Sequence, residues 1–489
     1  MQQYLRQHWP KALILILLSW RFLHFGETLD LPHDWRQADT AYYIWDFYQN
    51  GIDLFEPAVC WMGAAETVIL EFPLPEAIVA QMQLWFGESM LLSRMLFFSF
   101  FLFCCFYFFR IVQLLWNEEV ATFALLFYVS LPLSQYYSRA IHIDFFTQAF
   151  AFGVFYHCLA AIQQRSFRQL IWASGLAVIA FLVKVPYAFL LAFPILAYAY
   201  RQKAIRWLLL RSFVFIVPVG LFWWWQQYVH QINSQAPDWS YILNYRKFDE
   251  NASWYFGTIS QRLSPYPWKV ITLRVLFEAG GVLALAILPW LKSPRQLSDA
   301  EATLLAWLFG LAVYILLFFN LNVFHNYYQI PFLGPVAILL AIGLLGIRDR
   351  WGINYSFAVA LSFAILCTAY AEWKYYEVPE ELDIIAASIE RSVPPEGLPI
   401  VVYQDFDCRN PRILGRAKRR GWSLEETAAS AEVVERLYKE EGATHLIVVE
   451  AKPKLSIALV DAFKLKDMKN ISAQALSDYG LNIITYQFP

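Results

Sequence analysis

Residues 91–113 read LLSRMLFFSFFLFCCFYFFRIVQ, an apolar run whose only charged residues are Arg94 and Arg110. Crossing about 30 Å of hydrocarbon takes roughly 20 mostly apolar residues in a helix, so this run is long enough to span a bilayer. It is one of about eleven such runs, near 12–29, 91–113, 119–137, 143–162, 169–183, 186–200, 211–229, 271–291, 302–320, 327–346 and 352–372. The composition agrees: 58% of the 489 residues are hydrophobic, 18% aromatic and only 16% charged, with a mean hydropathy of +0.40. A soluble chain carries about a quarter charged residues. The expected fold class is therefore mainly α, a multispan transmembrane bundle.

Charge also divides the chain. Glu, Lys, Arg and Asp gather in 374–489, where a helix near 380–391, a strand Ile400–Tyr403, a helix near 429–441 and a strand His445–Val449 predict a small α/β domain. The expected organisation is a membrane module over 1–373 and a C-terminal soluble domain over 374–489. The net charge of −2 gives no polyanion-binding surface, which argues against a nucleic-acid partner. The six cysteines are scattered, four of them within apolar runs, and fit neither a disulfide framework nor a metal spacing. Arg6 and Lys11 precede an apolar run with no small-residue cleavage site after it, which predicts an uncleaved signal anchor.

Orientation follows from Lys and Arg in short connectors. One set holds Arg6, Lys11, Arg110, Arg165, Arg168, Arg201, Lys203, Arg206, Arg211, Lys292, Arg295, Arg348 and Arg350; the opposite set holds only Arg139 and Lys184. A cytoplasmic N-terminus and an odd number of spans place the C-terminal domain outside, with two long loops, 30–90 and 230–270. In the first loop Ala41, Trp45 and Tyr48 share one helical face, as do Ile78, Met82 and Trp85. Two amphipathic helices resting on the membrane surface are expected.

Polar residues cluster at the same predicted face. His33-Asp34-Trp35-Arg36-Gln37-Ala38-Asp39-Thr40-Ala41 places two carboxylates, an Arg and a His beside aromatic rings. Read plainly it is a hydrated loop end; at a lipid surface an acid can also meet a lipid-borne substrate. Glu71, in Leu70-Glu71-Phe72-Pro73-Leu74-Pro75, could simply complement a helix N-terminus. Asp144, in Ser138-Arg139-Ala140-Ile141-His142-Ile143-Asp144, opens an apolar run where ionisable groups are costly, and an Arg139–Asp144 pair is its structural explanation. Lys184, in Val183-Lys184-Val185-Pro186, could snorkel to the interface, and His325, in His325-Asn326-Tyr327-Tyr328, stands at a span end. Arg21 and Glu27, inside the expected first span, would pair with other helices.

These segments resemble the GT-C glycosyltransferases, in particular bacterial members of glycosyltransferase family 39 and the aminoarabinose lipid A transferases. The likeness covers about 10–372. It implies a catalytic carboxylate at Asp34, sugar or acceptor contacts at Asp39, Glu71 and Asp144, and carrier-phosphate contacts at Arg139, Lys184, His325 and Tyr328. Where the aminoarabinose transferases have a basic residue after the loop glutamate, this chain has Phe72, so a lipid A acceptor does not follow. The resemblance implies an inverting transfer of a sugar from a polyprenyl-phosphate carrier to a hydroxyl of a lipid, glycan or protein at the outer face of the cytoplasmic membrane. The chemistry fits: a hydroxyl nucleophile needs a carboxylate to take its proton, and a phosphate leaving group needs cations. The resemblance fixes no cofactor: related enzymes differ in divalent-metal use, and Glu71 with His325 could hold a divalent ion, although two ligands do not make a site. A transporter or flippase of a lipid-linked sugar is the alternative from another class, and an oligosaccharide ligase or polymerase the alternative among enzymes. A transporter would show internal repeats, and the sequence has none.

Overall fold

A computed structural model of the protein describes residues 2–26, 28–64, 67–235, 252–285, 297–404, 406–451, 455–456, 458–459 and 469–489. Among them six helices are long and apolar enough to cross a membrane: Met90–Leu115, Asp144–Gln164, Phe167–Lys184, Asp299–Leu317, Asn326–Trp351 and Ile353–Lys374. The chain divides into two compact units. The first takes Met1–Gly26, Ser93–Gln226 and Ala252–Tyr376; the second takes Glu27–Leu92, Gln227–Asn251 and Glu377–Pro489. The compositional boundary near 373 thus corresponds to the junction at 376/377, and the first long loop groups with the C-terminal segment.

In the helical unit, α1 (Gln2–Trp20) passes into a 3-10 turn, Arg21–His24, short of the expected end at 29. Arg21 stops it there: its guanidinium donates to the Leu17 and Val129 carbonyls and the Ser138 hydroxyl. Glu27 lies outside the described residues. The expected span 119–137 bends at Pro132, which has no N–H to continue the ladder, giving a helix Glu118–Ser130 and a short helix Pro132–Tyr137. Next come α2 (Asp144–Gln164) and α3 (Phe167–Lys184), the most extensively packed helix pair of the unit. A two-residue connection with Arg165 in the left-handed region turns the chain back antiparallel. Because the two helices have similar lengths, the first residue of α2, Asp144, and the last of α3, Lys184, lie at one end.

The expected span 271–291 is not one helix. Pro265–Leu273 runs into a π-helical turn, Arg274–Glu278, then Gly280 at φ +70° and a helical stretch Gly281–Leu285; 286–291 lie outside the described residues. Pro331 similarly holds the start of the later span as a 3-10 segment, Asn326–Phe332. The core is aromatic and aliphatic, with Phe101, Phe108, Tyr128, Phe155, Trp307 and Tyr314 all buried.

The second unit carries a five-stranded mixed sheet. Its strands are β1 (Pro399–Tyr403), β2 (Trp422–Leu424), β3 (His445–Glu450), β4 (Lys469–Leu476) and β5 (Leu481–Gln487), in the order β2-β1-β3-β5-β4. β1 pairs parallel with β2 and β3, which takes crossover connections rather than tight turns, and β5 pairs antiparallel with β3 and β4. The expected helices appear as Glu380–Ser392 and Ala431–Lys439.

The two expected loop helices are Asp34–Asn50 and Leu74–Phe86. In the first, Tyr42, Tyr43 and Phe47 are buried, and the two tyrosines join one core with Ile400, Val402, Trp422 and Val448. The faces expected to be apolar remain partly open: Ala41, Trp45, Tyr48, Ile78 and Met82 are half-buried and Trp85 is exposed. Loop and sheet also share backbone hydrogen bonds, Gly63 N–H to Gly421 O at 2.8 Å and Gly421 N–H to Cys60 O at 2.9 Å.

Candidate active site

The helical unit gathers its polar residues where α2 begins and α3 ends. An acid at a helix N-terminus and a cation at a C-terminus each complement the helix dipole, and here they also pair with each other. Lys184 Nζ donates to Asp144 Oδ1 at 2.7 Å, and His142 Nδ1 stands 2.5 Å from Asp144 Oδ2. The Tyr187 hydroxyl donates to Asp144 Oδ1 and lies 3.0 Å from the Tyr327 carbonyl oxygen. All are buried. The expected structural explanations for Asp144 and Lys184 therefore give way to a different arrangement, since Lys184 and His142, not Arg139, stand against the Asp144 carboxylate. A buried pair of this kind is stable only while both partners stay.

Two more of the expected residues, Tyr328 and His325, adjoin it. Lys184 Nζ lies 4.3 Å from the ring centre of Tyr328 and 4.8 Å from that of Tyr327, and His325 stacks on Tyr327 at 5.0 Å. Tyr327 also meets His142 at 4.4 Å and Tyr137 at 6.0 Å. Arg139, fully buried, has its guanidinium over Tyr136 at 5.0 Å and Tyr376 at 4.7 Å. Cations held over aromatic faces form a basic and aromatic cluster whose charge suits a phosphate.

The polar network continues to residues that the sequence reading did not single out. Glu278, in the π-helical turn, accepts through Oε2 from Asn326 Nδ2 at 2.6 Å and from the Tyr375 hydroxyl at 2.7 Å. The Tyr137 hydroxyl donates to Asn326 Oδ1 at 2.5 Å. A signal for Glu278 was present, since an acid within an apolar run is a functional candidate. Asn326 lies inside the quoted segment His325–Tyr328, whereas Tyr187 gave no signal, and the roles of both depend on where the helices bring them.

In the second unit Asp34 opens its helix and is almost fully buried. Its Oδ2 accepts from Arg412 Nε at 2.8 Å and Arg416 Nη2 at 3.1 Å, and Arg416 Nε also donates to Asp383 at 2.9 Å. Both arginines belong to the C-terminal segment, 378 and 382 residues away, beyond the reach of a motif. Asp34 Oδ1 takes no hydrogen bond from the described residues. Glu71 pairs with Arg36, so its charge serves an ion pair, not the helix after it. Asp39 Oδ1 accepts from Trp61 Nε1 at 3.0 Å; burial pushes its carboxyl up to about 7 against the opposing pull of Arg36 and Trp61. Glu76, which the sequence reading passed over, is buried and pushed up to about 8 for the same reason, again opposed by Arg36. Among the described residues no group of three or more His, Cys, Asp and Glu is placed to hold a metal.

Residues 72–225 match the model of a family described as dolichyl-phosphate-mannose-protein mannosyltransferase. No curated protein matches the sequence. Solved structures do. ArnT from Cupriavidus metallidurans bound to undecaprenyl phosphate is 12% identical, with 98% of each chain covered and a TM-score of 0.64; the apo state gives 14%, 98% of each chain and 0.54. The Archaeoglobus fulgidus oligosaccharyltransferase AglB, in complex with an inhibitory peptide and a dolichol-phosphate, is 10% identical over 91% of this chain and 70% of that one, with a TM-score of 0.55. On these likenesses the protein is a multispan membrane protein with the fold of the GT-C glycosyltransferases, over nearly its whole length.

Proposed function

We propose that the protein transfers a sugar from a polyprenyl-phosphate carrier to a hydroxyl acceptor with inversion at the anomeric carbon. The observation that carries this reading is the buried basic and aromatic cluster of Lys184, His325, Tyr327 and Tyr328, with Arg139 buried over Tyr136 in the same unit, set in a fold shared with ArnT solved with undecaprenyl phosphate. The acceptor oxygen attacks the anomeric carbon as the bond from that carbon to the phosphate oxygen breaks. The electron pair leaves with the phosphate, whose growing charge the cations stabilise. The family resemblance assigns the acceptor proton to Asp34, whose Oδ2 the two arginines hold while Oδ1 faces no donor among the described residues. Asp39, Glu71 and Asp144 are assigned to the sugar or acceptor by the family resemblance. Asp144 in addition holds Lys184 in place, and Glu71 holds Arg36. The acceptor is a lipid, glycan or protein hydroxyl, and the unequal Lys and Arg content of the connectors supports a site on the outer face of the cytoplasmic membrane.

Replacement of Asp34 tests the reading. Asp34→Asn keeps the size of the side chain and an oxygen for one arginine but cannot take a proton, so turnover of a polyprenyl-phosphate sugar should fall by about 10²–10⁴-fold. Asp39→Asn should retain more activity. Release of free polyprenyl phosphate from protein in lipid nanodiscs is the readout, with thermal unfolding followed in parallel. Near wild-type turnover in a folded Asp34→Asn protein would take Asp34 out of the mechanism, and absence of turnover in the folded wild type would favour the transporter reading.

A further inference from the structure

Glu278 is a carboxylate inside a helical membrane unit, where leaving a charge without compensation is expensive. Its described partners are nevertheless neutral: the Asn326 amide and the Tyr375 hydroxyl, both on Oε2. Arg274, four residues earlier, interacts with its charge, but directs its guanidinium to the carbonyls of Asn322, Val323 and Phe324. Oε1 accepts nothing from the described residues, and it is absent from the side-chain atoms sealed off without a partner. One oxygen is therefore fixed by two donors and the other is left reachable.

The backbone and the neighbouring side chains support the same conclusion. Glu278 closes a π-helical turn, a departure from regular helix that recurs at functional sites, and Gly280 follows at φ +70°. Asn326 is gripped at both ends, by Tyr137 on its carbonyl oxygen and by Glu278 on its amide nitrogen, which fixes which way the amide faces. His325 precedes Asn326, and Tyr327 and Tyr328 follow it. Hence one short segment carries both the basic and aromatic cluster and the support for Glu278. A polyprenyl-phosphate sugar has two polar parts joined by one bond: an anionic phosphate, which suits Lys184, Arg139 and His325, and a ring with several hydroxyl donors, which suits a carboxylate oxygen with no donor of its own.

We propose that Glu278 binds the sugar of the lipid-linked donor, its Oε1 accepting a hydrogen bond from a ring hydroxyl, with Asn326 and Tyr375 as positioning residues. The proposal rests on the polyprenyl-phosphate reading and adds to it the group that distinguishes a loaded carrier from a bare one. A hydrogen bond to a charged acceptor corresponds to roughly tenfold to a hundredfold in affinity.

Lipid binding to the full-length protein in nanodiscs tests it, with bare undecaprenyl phosphate and undecaprenyl phosphate loaded with mannose, glucose, galactose or arabinose as probes. The wild type should hold at least one loaded lipid more tightly than the bare one. In Glu278→Gln the amide oxygen can still accept from Asn326 and Tyr375, so the fold is kept, but an N–H₂ donor replaces the open acceptor. Affinity for the preferred loaded lipid should fall at least about tenfold, with affinity for the bare lipid and the unfolding temperature unchanged. Glu278→Asp, an acceptor drawn back by one methylene, should lie in between. Equal loss of both lipids, no loss of either, misfolding of both variants, or a wild type that prefers no loaded lipid would each overturn the proposal. Failure of the wild type to bind bare undecaprenyl phosphate would instead count against the polyprenyl-phosphate reading, so the two failures are distinguishable.

Discussion

Asp39 and Glu76 show how burial changes what a residue can do. Both are carboxyls cut off from water in the second unit, and burial outweighs the favourable charge of Arg36 at each, leaving them at about 7 and about 8. The unfolded chain gives up these protons near the ordinary carboxylate values, around pH 4, whereas the folded chain keeps them to pH 7 or 8. Stability from these groups is therefore fully present below about pH 4 and is lost progressively as the pH rises to about 8. Thermal unfolding in detergent should show the wild type losing stability between pH 5 and pH 8, and the Asp39→Asn, Glu76→Gln double variant losing distinctly less. An identical slope in both proteins would show that these carboxyls are not held protonated. The sequence could place Asp39 in a polar cluster, but not tell that Trp61, 22 positions on, would cover it, because the segment between them carries no marker of that turn. Likewise the resemblance pointed to Asp34, Asp144, Lys184 and His325, yet the partners that set their chemistry, Arg412, Arg416, His142 and Tyr187, came from the fold.

At the scale of elements, runs with strong periodicity or uniform apolar character were legible, and interruptions were less so. The α2–α3 pair, the two loop helices and the strands at 399–403 and 445–450 follow the sequence patterns closely. The breaks at Pro132 and Pro331 were written in the sequence as proline inside an apolar run, although a hydropathy window averages over them. The π-helical turn at 274–278 has no such mark apart from Arg274 and Glu278 themselves. Strands β2, β4 and β5 were missed. β2 is only three residues long, too short to show a pattern, whereas β4 alternates polar and apolar residues from Asn470 to Ala475, a strand signal that went unused.

The join between the first loop and the sheet was equally invisible, because it depends on a glycine. Gly63 sits at φ +59°, and a Cβ there would lie 2.1 Å from the Trp422 ring. Trp422 is fully buried in β2, so it cannot move aside without opening the core. Gly63→Ala should therefore destabilise the second unit by about 2 kcal/mol or more, from the left-handed conformation and the clash together. Amide hydrogen exchange is the direct measurement, with faster exchange expected in 58–64 and 421–424. Unchanged protection would contradict the packing described here.

For the whole molecule, the sequence was most informative about class and least about assembly. Hydropathy alone gives a multispan helical protein, and the charge shift gives a second domain. That residues 27–92 would share a core with residues after 377 needed long-range packing, which no local pattern encodes. A GT-C fold across 98% of the chain at 12% identity shows the same separation of levels. The helical frame survives extensive sequence change because apolar residues can substitute for one another in its core, while chemistry depends on a few polar side chains at defined places. The central claim is that those of the helical unit receive a carrier phosphate, and a structure of the protein in nanodiscs with undecaprenyl phosphate bound tests it most directly. The account predicts the phosphate within hydrogen-bond reach of at least two of Arg139, Lys184 and His325; a phosphate bound beyond direct contact with all three would contradict it.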